Sequence, residues 1–201
     1  TPKPSSAASD VYKRQAQILK FMPNYMFNPA SYPQIGTRDD PADDVFFWSQ
    51  GPARGASKVQ FADWAPVYER HLGIANVGRF YEQVGAFKEF LTTAAPDAAQ
   101  QSDLDFVLVV GHLFSLVVYG QLILEQAEIT HLDADLTDQI FDVMVRDFSA
   151  YAVALHGKPS STEAQQAWAL SAIRKPVADS ERFDKVWHEV AAYDGAYQMN
   201  P

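Results

Sequence analysis

One segment of the chain is apolar almost without interruption. Residues 106–124 read FVLVVGHLFSLVVYGQLIL, with Asp103 and Asp105 before the run and Glu125 and Glu128 after it. A helix that is apolar on every side is buried, either in lipid or at the centre of a helical domain. The acidic flanks favour the centre of a soluble domain, because membrane-spanning segments usually carry Lys or Arg at their cytoplasmic end. We therefore expect no membrane partner.

Segments on both sides of this run repeat apolar residues at helical spacing. A helix that begins near Asn76 and ends before Pro96 is predicted upstream. Its inner face would be formed by residues at alternating three- and four-residue steps: Val77, Phe80, Val84, Phe87 and Leu91.

The long apolar helix and the one after it have recognisable ends. Ser102 with Asp105 resembles a capping box at the start of the long helix. Asp135 opens the next helix, which ends at Gly157, where a left-handed backbone is expected. The residues of this second helix that are predicted to face inward are Leu136, Ile140, Met144 and Phe148.

Two more helices complete the pattern. Ser160 and Glu163 cap one that extends to Arg174, and Asp179 or Ser180 starts the last. Five helices joined by short connectors predict an all-α fold, an antiparallel helical bundle. The last helix would end before Gly195 and point three residues inward: Phe183, Val186 and Val190.

The chain divides into three regions. Residues 1–15 form a polar leader, and DVYKRQ at its end resembles a translated sequencing adapter; an ordinary disordered leader is the alternative. Residues 16–75 form an irregular segment, rich in Pro and aromatic residues, that we expect to wrap over the helices or over a domain or subunit outside the chain. Residues 76–201 form the bundle.

The composition narrows the functional classes. The chain has 201 residues, of which 47% are hydrophobic and 20% charged, as in ordinary globular domains. Its net charge of -9 argues against nucleic acid as a partner, because phosphate binding requires clustered Lys and Arg. The lack of Cys excludes disulfides, thiolate zinc sites and a cysteine nucleophile. Because the N-terminus has no apolar signal-peptide core, we expect a cytoplasmic protein.

One short motif could bind a metal. Glu125, Glu128 and His131 follow one another at three-residue steps, and Glu128 with His131 matches the Glu-x-x-His element of di-iron bundles. A full site needs a second such element and two further glutamates, and none of the other four His has Glu three residues earlier. We therefore interpret this stretch as the solvated end of a buried helix and predict no metal.

Residues inside the apolar run suggest packing rather than chemistry. His112 is interpreted as a neutral core residue that is hydrogen-bonded to a carbonyl. Gly111 and Gly120 are expected to allow neighbouring helices to cross closely. A ligand pocket lined by His112 and Tyr119 is the alternative.

Two polar stretches lie upstream. Arg54 and Lys58, in a Gly-rich turn, are candidates for contact with an anionic group, although the spacing does not match a phosphate loop. Residues 39–44 hold four carboxylates without the Gly and Glu of a calcium loop, so a solvated turn is predicted. No motif nominates a catalytic residue.

Four segments carry a family resemblance: QGPARGASKVQFADW (50–64), DLDFVLVVGHLFSLVVYGQLILEQAE (103–128), DQIFDVMVRDFSAYAVALHGKPSST (138–162) and FDKVWHEVAAYDGAYQMNP (183–201). Together they resemble the C-terminal helical region of some bacterial acyl-CoA dehydrogenases. The resemblance implies a flavoenzyme that uses FAD to remove hydrogens from the α and β carbons of an acyl thioester. A glutamate of the family's main domain takes the α proton, and flavin N5 takes the β hydride.

The chain lacks counterparts of that family's N-terminal helical domain, its middle β-domain and the segment with the catalytic glutamate. No catalytic residue is therefore carried over, and the FAD-binding residues are unknown. The resemblance implies an appended C-terminal domain, a fragment whose partner is the catalytic domain of the same polypeptide and which assembles into a homo-oligomer. A self-contained helical ligand-binding or regulatory protein, and a metal-dependent oxidase using Glu125, Glu128 and His131, are the alternatives.

Overall fold

A computed structural model describes residues 19–30 and 61–195 of the protein. These residues confirm the all-α fold. They form eight helices: α1 (Met22–Phe27), α2 (Ala65–Glu69), α3 (Ala75–Thr93), α4 (Ala98–Ser102), α5 (Leu104–Thr130), α6 (Ala134–His156), α7 (Glu163–Ala172) and α8 (Ser180–Ala191).

The five longest helices correspond to the five that were predicted, whereas α1, α2 and α4 were missed. The prediction that prolines would keep this part of residues 16–75 free of helix was wrong. Pro23 and Pro66 lie in the first turns of α1 and α2, where the missing N–H group has no helical partner to lose. The chain before and after residues 31–60 is held together, since the Ala30 N–H donates to the Phe61 carbonyl over 2.8 Å.

The packing places α6 at the centre of the bundle, in contact with α3, α5, α7 and α8. The apolar helix α5 packs on α6 and α3 and on the short helices α2 and α4. A 27-residue helix is about 40 Å long, so two five-residue helices cannot cover it along its whole length. The prediction that α5 is buried on all sides was therefore wrong: Tyr119 is 59% exposed and Leu122 is 54% exposed.

The same helix is long and apolar enough to cross a membrane. Its most apolar window has a mean hydropathy of 2.1, and half of that window is buried within the fold. A core helix of a soluble protein has the same properties, so this observation does not distinguish the two environments.

Gly120 confirms the expectation of close helix crossing. A Cβ atom built on Gly120 would overlap the Tyr68 hydroxyl of α2 and would lie 3.0 Å from Phe80 Cε1 of α3 and 3.2 Å from Met144 Cε of α6. Three helices therefore approach the α5 backbone at one point. Glycine provides the space for this contact.

Several helix ends differ from the prediction. The N-cap of α5 is Asp103, whose carboxylate accepts hydrogen bonds from the N–H groups of Asp105 and Phe106, whereas Ser102 ends α4. Asp133 caps α6 by accepting a hydrogen bond from the N–H group of Asp135, two residues before the expected start. Aspartate competes well with serine at this position because its charge also interacts with the helix dipole.

The connection from α6 to α7 also differs. Gly157 has φ −80°, so it does not adopt the expected left-handed conformation. The cap of α7 is Thr162 with Gln165, which form a reciprocal capping box, and the helix ends at Ala172 rather than Arg174. Left-handed backbone occurs instead at His131, the C-cap of α5, with φ 53°.

Helix α8 begins at Ser180 with Asp179 as its N-cap, as predicted, but its orientation is not the predicted one. Val186 is buried, whereas Phe183 is 51% exposed and Val190 is 53% exposed. Trp187 is 62% exposed and stacks on Phe183, with the ring centroids 6.5 Å apart.

A buried arginine determines this orientation. Arg182 lies between α8 and α6, where its guanidinium forms an ion pair with Asp138 and has Nη2 3.6 Å from Oδ2 of Asp142. The same Nη2 donates to the Val177 carbonyl over 3.1 Å. Asp138 also accepts the Asn76 N–H of α3 over 2.7 Å. Because a buried charge requires partners, α8 is oriented with Arg182 toward α6. This orientation leaves the aromatic side chains of α8 exposed.

Candidate interaction site

A hollow of about 430 Å³ lies between α1 and α5. We call it the α1–α5 hollow. It is open to solvent, and nearly all of its lining is apolar. The lining residues are Phe21, Tyr25, Phe61, Phe114, Ser115, Val118, Tyr119 and Leu122.

Edge-to-face aromatic contacts form the floor of this hollow. The Tyr25 ring lies 5.6 Å from the Phe61 ring and 5.4 Å from the Phe114 ring, centroid to centroid. The Tyr25 hydroxyl donates to the Gln121 side chain, whose amide donates to Glu125 over 2.8 Å. Burial, reinforced by the negative charge of Glu125, raises the pKa of Tyr25 well above its usual range. Tyr25 is therefore a neutral structural donor that fixes α1 on α5.

A second tyrosine fixes α2 on the same helix. The Tyr68 hydroxyl donates to the Val117 carbonyl over 2.6 Å, and Tyr68 is fully buried. Burial raises the pKa of this hydroxyl well above its usual range. The two tyrosines thus hold short helices against a long one, and the apolar surface beyond them stays open.

A second apolar hollow lies on the other side of the exposed pair Tyr119 and Leu122. This α5–α6 hollow has a volume of about 330 Å³. Its remaining lining residues are Ile123, Gln126, Ala127, Leu132 and Ile140. Exposed apolar surface of this extent, divided by a ridge of two large side chains, is typical of a surface that contacts another protein.

The three metal candidates do not converge. Glu125 accepts the Gln121 amide, whereas Glu128 accepts Nε and Nη2 of Arg70 over 2.8 and 3.1 Å. His131 is the C-cap residue of α5. Within residues 19–30 and 61–195, no three His, Asp or Glu side chains lie close enough together to hold a metal ion.

Glu128 instead has a structural role that the sequence did not suggest. His71 Nε2 lies 3.0 Å from its carboxylate. The hydrogen bond from Arg70, and to a lesser extent the one from His71, lowers the pKa of Glu128. The stabilising effect of such a carboxylate is complete above its ordinary pKa and is lost as the pH falls through the lowered pKa.

Replacing Glu128 by glutamine should therefore lower the free energy of unfolding only slightly at neutral pH, by less than about 1 kcal/mol, because both partners are partly exposed to solvent. The difference from the unmodified chain should shrink as the pH falls below about 4.3, the ordinary pKa of Glu. Urea denaturation followed by circular dichroism at several pH values would measure this. Glu89→Gln, on the exposed face of α3, is the control; a Glu128 effect that persisted in acid would contradict the assignment.

His112 lies at the edge of the core rather than inside it. Its ring stacks on Tyr151 of α6 at a centroid distance of 4.5 Å, with 4° between the planes. Partial burial lowers the pKa of His112, which favours the neutral imidazole. Tyr119 lines both hollows and His112 lines neither, so these two hollows are not the alternative pocket lined by both residues.

Other candidates fall outside the residues that the structure describes. These are Arg54 and Lys58, the acidic stretch 39–44 and the leader 1–15. Comparison of the chain with protein-family models, with curated proteins and with solved structures finds no match.

Proposed function

We propose that this chain is a helical assembly domain, without catalytic residues of its own, from an acyl-CoA-dehydrogenase-like flavoenzyme. The full-length enzyme would use FAD to dehydrogenate acyl-CoA in the cytoplasm. The α1–α5 hollow is the observation that supports this proposal best. It is apolar and open, and the carbonyl of Phe61, which lines it, accepts a hydrogen bond from the Ala30 N–H.

The lining of the α1–α5 hollow does not fit FAD. Its pyrophosphate needs cations or a cluster of backbone N–H groups, and the α1–α5 hollow offers only hydroxyl groups and apolar side chains. We therefore assign FAD to the catalytic domain of the same polypeptide, which is the proposed partner of this chain. The role of the residues described here would be to support that domain and the assembly of a homo-oligomer, without membrane or nucleic acid.

The proposal predicts that the isolated chain does not reduce flavin. When the purified chain is mixed with FAD and with short- and long-chain acyl-CoA, the visible absorbance of the flavin should stay constant, because the proposal assigns both the base and the flavin site to the catalytic domain. A purified acyl-CoA dehydrogenase under the same conditions is the positive control. Bleaching of the flavin by the chain alone would contradict the proposal.

The gene provides an independent test. An open reading frame that continues upstream of Ala16 and encodes a flavin-binding β-domain supports the proposal. A stop codon followed by a start codon close to Ala16 would favour the second candidate, a self-contained binding protein. The volume of the α1–α5 hollow, which falls in the range of about 300–1,000 Å³ found for small-molecule sites, favours that candidate.

A further inference from the structure

We propose that α8 of one copy of this chain packs into the α5–α6 hollow of a second copy, and that a two-fold axis makes this contact reciprocal. The inference deepens the assembly role proposed above, and it rests on that role by naming the partner and the surfaces. Two apolar surfaces that no described residue covers carry it. The first is the α8 stripe, formed by Phe183, Trp187, Val190 and Tyr193, and the second is the α5–α6 hollow.

The α8 stripe has the spacing of a helix that binds in a groove. Phe183, Trp187 and Val190 follow one another at steps of four and three residues, as do the anchor residues of helices that bind apolar grooves. Trp and Tyr are also the residue types that contribute most to binding energy at interfaces. Each side chain of the stripe is at least half exposed, which is unusual for large apolar residues of a monomeric domain.

The stripe cannot turn toward its own bundle. Arg182 holds α8 on α6 through Asp138, and Lys185 Nζ lies 3.1 Å from Asp133 and 2.5 Å from Asp135. These contacts use a different side of the helix from the stripe. The aromatic side is therefore presented outward in a fixed direction, as required for docking with little loss of conformational entropy.

The groove matches the stripe in length and chemistry. At a rise of about 1.5 Å per residue, the three anchors of α8 span about 10 Å, and the α5–α6 hollow follows α5 from Tyr119 to Ala127 over about 12 Å. Its walls are apolar, with Leu122 and Ile140 on the two helices. A helix laid between α5 and α6 would cover the ridge of α5 that the short helices leave open.

The area that a stable dimer needs favours a second copy as the occupant. A covered aromatic side chain buries about 150–250 Å², so three aromatics and Val190, each half to two-thirds exposed, offer roughly 400 Å². Stable interfaces bury about 800 Å² per partner. In a two-fold dimer each copy buries both its stripe and its hollow, so the area buried on each copy reaches about this size.

The test compares two single variants and their mixture by sedimentation velocity over a range of concentrations. The unmodified chain should form a dimer. Trp187→Ala removes the main anchor and should weaken dimerisation by about thirtyfold or more, the loss typical of a central interface aromatic. Leu122→Asp places a charge in the hollow and should have a similar effect. Leu170→Ala, at another exposed apolar side chain, on α7, should leave dimerisation unchanged.

The mixture of the two variants identifies the contact. A Trp187→Ala chain keeps an intact hollow, and a Leu122→Asp chain keeps an intact stripe, so the mixture should associate more tightly than either variant alone. Restoration supports the proposal. A mixture without restoration, with dimers lost only in Trp187→Ala, would mean that α8 pairs with α8 and would overturn it. The proposal would also be overturned if the unmodified chain were monomeric. The hollow would then be covered by residues 31–60 or would bind the catalytic domain.

Two further measurements distinguish a loss of dimerisation from a loss of folding and from an effect of charge. Far-ultraviolet circular dichroism should give the same helix content for all variants, because Trp187 and Leu122 are both more than half exposed. Dimerisation should tighten as salt is added, because each copy carries a net charge of -9 and salt screens their repulsion. The flavin assay and the upstream reading frame do not involve α8, so failure of the proposed function is recognised independently of this inference.

Discussion

Replacing Arg182 by alanine is expected to lower the free energy of unfolding by about 3–5 kcal/mol, a large part of the stability of a domain of this size. Arg182 is almost fully buried and forms an ion pair with Asp138, whereas Asp142, 3.6 Å from Arg182, also pairs with the exposed Arg146 over 2.6 Å. Its removal leaves negative charge inside the contact between α6 and α8. Urea denaturation monitored by far-ultraviolet circular dichroism would measure the loss.

The matched control for this prediction is Arg79→Ala. Arg79 also pairs with a carboxylate, that of Glu82 over 3.6 Å, but both side chains are about half exposed. Its loss should change stability by no more than about 0.5 kcal/mol. If the two variants were equally stable, Arg182 would not be the residue that holds α8.

A second large effect is expected at Gly120. Gly120→Val should destabilise the fold by about 3 kcal/mol, because its side chain enters the space filled by Tyr68, Phe80 and Met144. Displacing Tyr68 would also break the hydrogen bond of its buried hydroxyl to the Val117 carbonyl. Thermal unfolding by calorimetry, with urea denaturation alongside, would measure the change.

Gly85 provides the control for this substitution. It lies on the exposed side of α3, and a Cβ atom there would meet no atom within 4 Å. Gly85→Val should therefore change stability by less than about 0.5 kcal/mol, since Val and Gly differ little in helix propensity. Similar losses at both positions would show that the effect comes from the helix backbone rather than from the crossing point.

Much of the helical pattern could be predicted from the sequence because it depends on local spacing. Phe80, Val84 and Phe87 are buried as the spacing of α3 predicts, and the apolar run lies within α5. The exposed side of α5 could not be predicted in the same way. Its apolar residues are distributed all around the helix, so the sequence does not distinguish the covered side from the open one; the lengths of α2 and α4 determine that.

The orientation of α8 is a different case. Two sides of this helix compete: Phe183 and Val190 on one, Arg182 and Val186 on the other. The prediction placed Phe183, Val186 and Val190 together on the inner face, and of these three only Val186 is buried. The outcome depends on carboxylates of α6, those of Asp138 and Asp142. They lie 44 and 40 residues away, and helical periodicity does not connect them with Arg182.

The α1–α5 hollow was predicted only in part. The aromatic residues of the N-terminal segment were expected to mark an interaction surface, and Phe61 does line the hollow. Its pairing with Tyr25 and Phe114 joins three distant parts of the chain, which periodicity cannot reveal. The Tyr25–Gln121 hydrogen bond likewise spans 96 residues.

The hydrogen bond between Ala30 and Phe61 has a consequence for engineering and for evolution. It joins the two residues that flank a segment of thirty, so the length of this segment can change while its ends stay in place, and each doubling of that length costs only about 0.6 kcal/mol of closure entropy. Such a site tolerates grafted peptides, affinity tags or a whole guest domain. Sequences that share this scaffold are expected to vary most in length at this position.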